Sequence, residues 1–426
     1  MPAPAPTPKP APKLTPEGKR ALDAWFKAEV AKGEHPAMFA IVATPTEVLY
    51  ESARGDRVFG QPEKGQVDWD TTLQLWSMTK LVTSVACLQL MERGLVDVDD
   101  PKLVEEVLPE LAAQPILAGY DGDKVILKKR TQPLTLRHLL THTSGSAYSF
   151  LGTPLVKWEK QTGHKAWTAK GAKLDSITTP LLFEPGTAFQ YGHGIDWAGL
   201  LVERVSRLTL EDYFRKHIWS AVPGECRSMT FYPTRRTKGR MMGMHGRKGR
   251  RVVPEPGWRD VMAWDSMDMK FRFGGAGLFG TARDYTAFLQ HLLACYQGRE
   301  GMLRPETTRL LFEDAFPQGG EGDTCRKGLG RLMRDMGVSQ PGWHTGAELT
   351  HSLAMCVNTA DSPHGRRAGS ATWGGVARTQ QWIDPSTGIV AFFGTQILEL
   401  DWRAYGRALD GFEHKVYGAL EVGAKL

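Results

Sequence analysis

Ser77-Met78-Thr79-Lys80 sets a hydroxyl and an amine three residues apart. On an α-helix, residues at that spacing are surface neighbours. A serine hydroxyl becomes a nucleophile at neutral pH only when an adjacent base takes its proton, and this spacing supplies one. The approach, residues 69–76, reads as extended. The run 81–91 is largely apolar, and Glu92-Arg93-Gly94 closes it with a glycine stop. Ser77 is therefore expected near a helix N-terminus, where backbone N–H groups and the helix dipole favour developing negative charge. A chain this long carries roughly one or two S-x-x-K matches by chance. The competing reading is a surface helix with a capping serine and a solvated lysine. Two facts weigh against it. Of all the serines, only Ser77 has Lys at the third following position, and no G-x-S-x-G elbow offers a rival.

Two further stretches are candidates. In Pro185-Gly186-Thr187-Ala188-Phe189-Gln190-Tyr191-Gly192-His193, Pro-Gly marks a turn and Tyr191 follows on a loop before a helical pattern at 195–205. A lone tyrosine is more often a half-buried core residue. In Gly369-Ser370-Ala371-Thr372-Trp373-Gly374-Gly375-Val376, glycines on a strand edge let a ligand approach the backbone closely. The alternative there is a plain β-bulge.

Together the three stretches match a known pattern. The chain resembles the serine β-lactamase and penicillin-binding-protein superfamily, and within it the class C-like branch of esterases and transesterases. That family carries S-x-x-K, then a Y-x-N type triplet, then a K/H/W-x-G strand, which fall here at Ser77/Lys80, Tyr191 and Trp373/Gly375. Residues 90–97, 136–145 and 277–285 carry phrases of the same branch. Residues 116–121 and the Tyr191-Gly192 pair are similar to a fungal acyltransferase of a polyketide pathway. The resemblance spans about residues 22–417. Two departures stand out. His193 replaces the triplet's Asn, and Trp373 replaces the Lys with which lactamases hold a carboxylate. Both argue for a neutral ester or thioester over a β-lactam.

The resemblance implies catalysis by Ser77, Lys80 and Tyr191 through an acyl-Ser77 intermediate, with no cofactor and no metal. It places the oxyanion hole at the backbone N–H groups of Ser77 and Val376, and substrate contacts at Trp373, Gly374, Gly375, His193 and Trp76. Lys and Tyr both have ordinary pKa values of about 10, so the pair is read as one coupled base. The acyl group then passes to an alcohol or to water. The implied partners are a small ester or thioester donor and an alcohol acceptor. A plain carboxylesterase with weak β-lactamase activity is the alternative. A binding-only member of the fold is disfavoured by the intact residue set. A Ser-His-Asp triad is the other temptation, but His138 and His142 fall in the resembled family's structural helix and loop. Trp76, Trp158, Trp167, Trp264 and Trp373 could line an apolar cleft, although for any one of them the core is the commoner place.

Several elements must position these groups. Residues 16–32 read as an amphipathic helix, and 38–43 and 47–52 as strands around a Thr44-Pro45-Thr46 turn. Helical patterns dominate 101–204, with Thr135 capping a short helix at 136–140. Residues 227–251 form a basic loop region. A glycine-rich stretch, 273–281, feeds an apolar helix at 282–295. A hairpin follows at 379–384 and 389–396, and an amphipathic helix at 401–420. The expected fold is α/β (an α+β sandwich): an antiparallel sheet built from both termini and flanked by helices, with a mostly helical insertion. The expected division is a Pro-rich arm at 1–13, a sheet domain at 14–100 and 270–426, and the insertion at 101–269.

Composition excludes other classes. The 426 residues are 41% hydrophobic and 23% charged, an ordinary globular balance. A net charge of +6 without a dense basic stripe does not indicate nucleic acid. Five cysteines without C-x-x-C spacing argue against a disulfide framework or a zinc site and for a reducing, cytoplasmic setting. No apolar run approaches the roughly 18 residues that span a membrane. The basic stretch 227–251 reads either as a solvated loop or as a docking surface for an acidic acyl-carrier domain.

Overall fold

The computed structural model describes residues 11–164, 174–255, 271–336, 348–399 and 402–421. The run Ala37–Ala43 is buried at every position, the signature of a strand covered on both faces. This strand, β1, pairs antiparallel with β2 (Val48–Gly55) and with β7 (Ile389–Gly394). The remaining strands are β3 (Leu349–His351), β4 (Cys356–Asn358), β5 (Ala371–Gly375) and β6 (Thr379–Asp384). The order across the sheet is β2-β1-β7-β6-β5-β4-β3. Both ends of the chain therefore build one antiparallel sheet, as the terminal strand patterns lead one to expect.

Successive side chains on a strand point to opposite faces, and β1 divides its residues accordingly. Met38, Ala40 and Val42 join Leu22 and Phe26 of helix α1 (Pro16–Ala31) and Phe412 and Val416 of the C-terminal helix (Arg403–Ala419). Phe39, Ile41 and Ala43 face the other way. They join Val82 and Val85 of α2 (Thr79–Glu92) and Phe288 and Leu292 of the helix Ala282–Tyr296. Each of the larger side chains, the valines, leucines, isoleucine, methionine and phenylalanines, contributes roughly 1.5–3 kcal/mol on burial. Helix starts follow local chemistry: the hydroxyls of Thr15, Thr135 and Thr281 each accept a backbone N–H of the first helical turn.

Helix α2 is buried at every position from Thr79 to Leu90. That explains its largely apolar character; it runs through the core, and the polar side chains of that span, Thr79, Lys80, Thr83, Ser84 and Gln89, are buried with it. One 3-10 turn, Trp76–Met78, feeds it, and Ser77 sits in that turn. Trp76 has a φ of +50°, an unfavourable conformation for a bulky residue. Its surroundings hold it there. The Thr79 hydroxyl donates to the Trp76 carbonyl at 2.6 Å and accepts the Leu278 N–H at 3.1 Å. The Tyr285 hydroxyl donates to the Met78 carbonyl at 2.9 Å. Leu73–Gln74 pairs with Phe279–Gly280 just ahead of the turn.

Two expectations need correction. The stretch expected to be helical between 101 and 204 contains an antiparallel hairpin, Ile116–Asp121 with Lys124–Lys128. The basic stretch expected as a loop holds a short helix, Arg235–Gly239, and a hairpin, His245–Lys248 with Arg251–Pro254. Both hairpins close over a glycine of positive φ, Gly122 at +56° and Gly249 at +59°. Their strands are too short to show clean alternation, so the turn glycine is their main local signal. Among the described residues, no helix is long and apolar enough to cross a membrane.

The support of the nucleophile turn is testable. Thr79→Val keeps the shape but orphans the buried Leu278 N–H and leaves the Trp76 carbonyl with the Thr79 backbone N–H alone. An unmet buried donor costs about 1–3 kcal/mol, so urea unfolding should show a loss of about that size. Unchanged stability would show that the hydroxyl does not hold the turn.

Candidate active site

Ser77 Oγ is the point on which the site converges. Lys80 Nζ lies 3.2 Å from it, one helical turn along. The Tyr191 hydroxyl lies 2.6 Å from it, brought by the loop ahead of the helix Gly194–Ser206. Gly192 is required beside Tyr191, because a Cβ there would penetrate the Ser146 carbonyl and the Ala147 backbone. At 2.6 Å a proton can pass between the two hydroxyl oxygens, and Lys80 Nζ also stands 4.7 Å from the Tyr191 ring centroid. A hydroxyl with two titratable partners at these distances is built for proton removal.

Lys80 is 1% exposed, and a buried ammonium must be fully hydrogen-bonded. Its three N–H bonds are accounted for. Besides Ser77 Oγ, Nζ donates to the Tyr148 hydroxyl at 3.2 Å and to the Gly275 carbonyl at 2.7 Å. Behind these acceptors lies Asp196, itself fully buried. Asp196 Oδ1 accepts the Gly275 N–H at 2.8 Å, and Oδ2 is 2.9 Å from His193 Nδ1. Burial, with the Asp196 carboxylate adding to it, holds the Tyr148 phenol well above its usual range. Tyr148 is therefore a neutral hydroxyl that can accept from Lys80 and donate to Asp196.

A wall of rings closes one side. The Trp373 ring is 5.5 Å from that of Tyr191 and stacks on His142 at 6.0 Å. His142 meets Tyr191 edge-on at 4.8 Å, and His351 meets Trp373 edge-on at 5.4 Å. Burial, with His351 and Lys80 adding to it, pushes His142 well below its usual pKa; burial pushes His351 down to about 4. Both imidazoles are neutral at pH 7, so this wall is polar at its edges and carries no charge. At the end of β5, a Cβ on Gly375 would lie 2.5 Å from the Leu75 carbonyl. Only glycine lets that strand end approach the turn that carries Ser77. Val376, the next residue, is 37% exposed.

The structure thus brings together Ser77, Lys80, Tyr191, Trp76, Trp373, Gly374, Gly375 and Val376. His193 is buried, packs against Tyr148 at 4.4 Å and turns Nδ1 to Asp196. His138 stays apart in the capping box of the helix Leu136–Leu140. His142, placed by resemblance in a structural loop, lies directly against Tyr191. Trp158 packs near Leu155 and Ala147 in a separate small cluster, and Trp167 and Trp264 lie outside the described residues. Tyr148, Asp196 and Gly275 were not among the residues expected at the site. Tyr148 follows the Ser144-Gly145 turn without a spacing signal of its own. Asp196, three residues after His193 on a helix, carried the only local hint.

If Lys80 and Tyr191 act on one oxygen, their losses cannot add. Lys80→Ala and Tyr191→Phe should each lower turnover of a p-nitrophenyl ester by about 10³-fold or more, in the range seen when members of a catalytic unit are removed. The double variant should be little slower than the worse single one. Multiplying losses in a double-mutant cycle would contradict the shared role.

Known proteins share this chain's sequence pattern and its fold. The Beta-lactamase family profile matches residues 22–409. The chain is 32% identical to monacolin J acid methylbutanoyltransferase of Aspergillus terreus, over 83% of this chain and 84% of that protein. It is 30% identical to the lovastatin esterase of Penicillium rubens, over 93% and 98%. Among solved structures, a variant of simvastatin synthase from Aspergillus terreus superposes with a TM-score of 0.80 at 29% identity, covering 95% of each chain. The unliganded form of that synthase gives 0.79 at 28% identity, over 95% of this chain and 99% of that one. The chain therefore belongs to the Beta-lactamase family and is a serine hydrolase/transferase of its acyltransferase and esterase kind.

Proposed function

We propose that the protein transfers acyl groups through Ser77. The observation that carries this is the meeting of Lys80 Nζ and the Tyr191 hydroxyl on Ser77 Oγ. In its reactive form the Lys80/Tyr191 pair holds one proton fewer than an ammonium plus a phenol, and as the Ser77 oxygen attacks the carbonyl carbon of an ester or thioester its proton fills that vacancy. The N–H groups of Ser77 and Val376 receive the oxyanion, each such donor being worth about 10²–10³-fold in rate. The tetrahedral adduct collapses, the alcohol or thiol leaves with the proton, and acyl-Ser77 remains. With the proton gone to the leaving group, the pair is again one proton short; Tyr191 takes a proton from the second nucleophile as that attacks the acyl carbonyl, and gives it to Ser77 Oγ as the serine leaves. Trp373, Gly374 and Gly375 shape the substrate site, backed by the buried Trp76 and, behind the nucleophile, by His193 on Asp196. The uncharged wall around Trp373 suits an apolar acyl or acceptor group.

An alcohol acceptor makes the enzyme a transferase, and the aromatic wall favours that outcome by limiting water. The second reading, a carboxylesterase, is supported by the similar identity to the lovastatin esterase. The acyl donor we favour is a thioester on an acidic carrier domain. Arg235, Arg236, Lys238, Lys248, Arg250 and Arg251 are exposed and have no acidic partner among the described residues, whereas Arg240 pairs with Asp70 and Arg247 with Glu399. The five cysteines are free and buried, which supports a reducing, cytoplasmic setting.

Two experiments test this reading. A short acyl thioester should raise the protein's mass by one acyl group, on Ser77, and Ser77→Ala should show no increase; added alcohol should discharge the adduct as an ester. An adduct on another residue would overturn the assignment. Reversing Arg235, Arg236, Arg250 and Arg251 to Glu should slow transfer from a carrier-bound donor at least tenfold at low salt, since complementary charge mainly raises the on-rate. Transfer from a free thioester should be unchanged. Equal effects on both donors would contradict docking there.

A further inference from the structure

We propose that Asp196 is a positioning residue for Lys80, acting through the Gly275 backbone and the Tyr148 hydroxyl. This rests on the reading of Ser77 as the acylated residue. Asp196 does not touch Ser77. It holds the two groups that hold the lysine. Its Oδ1 accepts the N–H of Gly275, whose carbonyl accepts Lys80 Nζ. It also faces the Tyr148 hydroxyl, the other acceptor of that ammonium.

The packing leaves little slack. A Cβ at Gly275 would stand 2.9 Å from Asp196 Oδ1 and 3.0 Å from Lys80 Nζ, so the carboxylate and the ammonium bracket one glycine. His193 Nδ1 on Oδ2 fixes the carboxylate's rotation. The neighbouring Gly274 is pinned as well: its carbonyl accepts the Thr83 hydroxyl at 2.7 Å. Among the described residues Lys80 has no direct ion pair, and the Asp196 carboxylate, one glycine away, offsets its charge. With both acceptors fixed, Lys80's third N–H can point only at Ser77 Oγ. Without Asp196, the Gly275 N–H is orphaned and the Tyr148 hydroxyl is free to turn, so Nζ no longer has one direction.

The test uses Asp196→Asn, in which the amide oxygen can still accept from Gly275 while the charge is gone. Kinetics on a short p-nitrophenyl ester should show kcat reduced at least 30-fold with KM changed less than threefold. Labelling of Ser77 by a phosphonate should slow by the same factor. Tyr148→Phe should show the same pattern, and the Asp196→Asn/Tyr148→Phe double variant should be no more than threefold slower than the worse single one. This coupling would not arise from a merely structural role. If Asp196→Asn fails to fold, Tyr148→Phe alone must still lower kcat at least tenfold at constant KM. A kcat within threefold of the parent, a loss confined to KM, or multiplying losses in the double variant would overturn the proposal. Failure of the parent protein to label at Ser77 would instead overturn the acyl-serine reading beneath it.

Discussion

A lysine ammonium out of contact with water is the constraint on which the site depends. Taking such a charge into the interior costs several kcal/mol unless every N–H finds an acceptor. Lys80 finds one in the turn that feeds its helix, one in the loop at Tyr148 and one at Gly275. The last two are distant in sequence. The nucleophile's geometry is therefore a property of the whole fold, because moving any of these segments exposes or orphans a charge. The same requirement explains why α2 is buried along its length. A helix that carries the lysine into the core must itself be mostly apolar, and the Thr79 and Thr83 hydroxyls it retains are hydrogen-bonded.

The sheet supplies the second half of the site. Its register places Trp373 opposite Gln381 and Gly375 opposite Thr379, so the strand end arrives beside the Ser77 turn with a ring on one side and bare backbone on the other. The ring adds apolar surface where lactamases of the resembled family place a lysine. His142 and His351 extend this surface and are both kept neutral by burial. Charge at the site is thus confined to the Lys80/Asp196 side, behind the nucleophile, while the side toward Trp373 is aromatic. That division suits a neutral acyl carbonyl better than a carboxylate-bearing lactam.

Much of the sheet was legible in the sequence because its rule is local. The apolar strands at both ends, the hairpin at Pro385-Ser386-Thr387-Gly388 and the two terminal helices follow from periodicity and turn chemistry. Ser77 and Lys80 were legible for the same reason, since i and i+3 meet on any helix. Tyr191 and Trp373 were legible only in combination, through resemblance. Tyr148 and Asp196 were not. Their partners lie 68 and 79 residues away, and no local pattern encodes such a meeting. The hairpin Ile116–Asp121 with Lys124–Lys128 escaped because its short strands lack alternation and helical stretches flank it. Its Gly122 was the available signal.

The most direct measurement is a crystal structure of the protein inactivated by an alkyl phosphonate. Phosphorus should be bonded to Ser77 Oγ, with the phosphoryl oxygen within about 3 Å of both the Ser77 and Val376 N–H groups, a hydrogen-bond distance. The alkyl chain should lie against Trp373, and Lys80 should still be bound to Tyr148 and Gly275. Phosphorus on another residue, or a phosphoryl oxygen turned to solvent, would contradict acylation at Ser77 with this oxyanion hole.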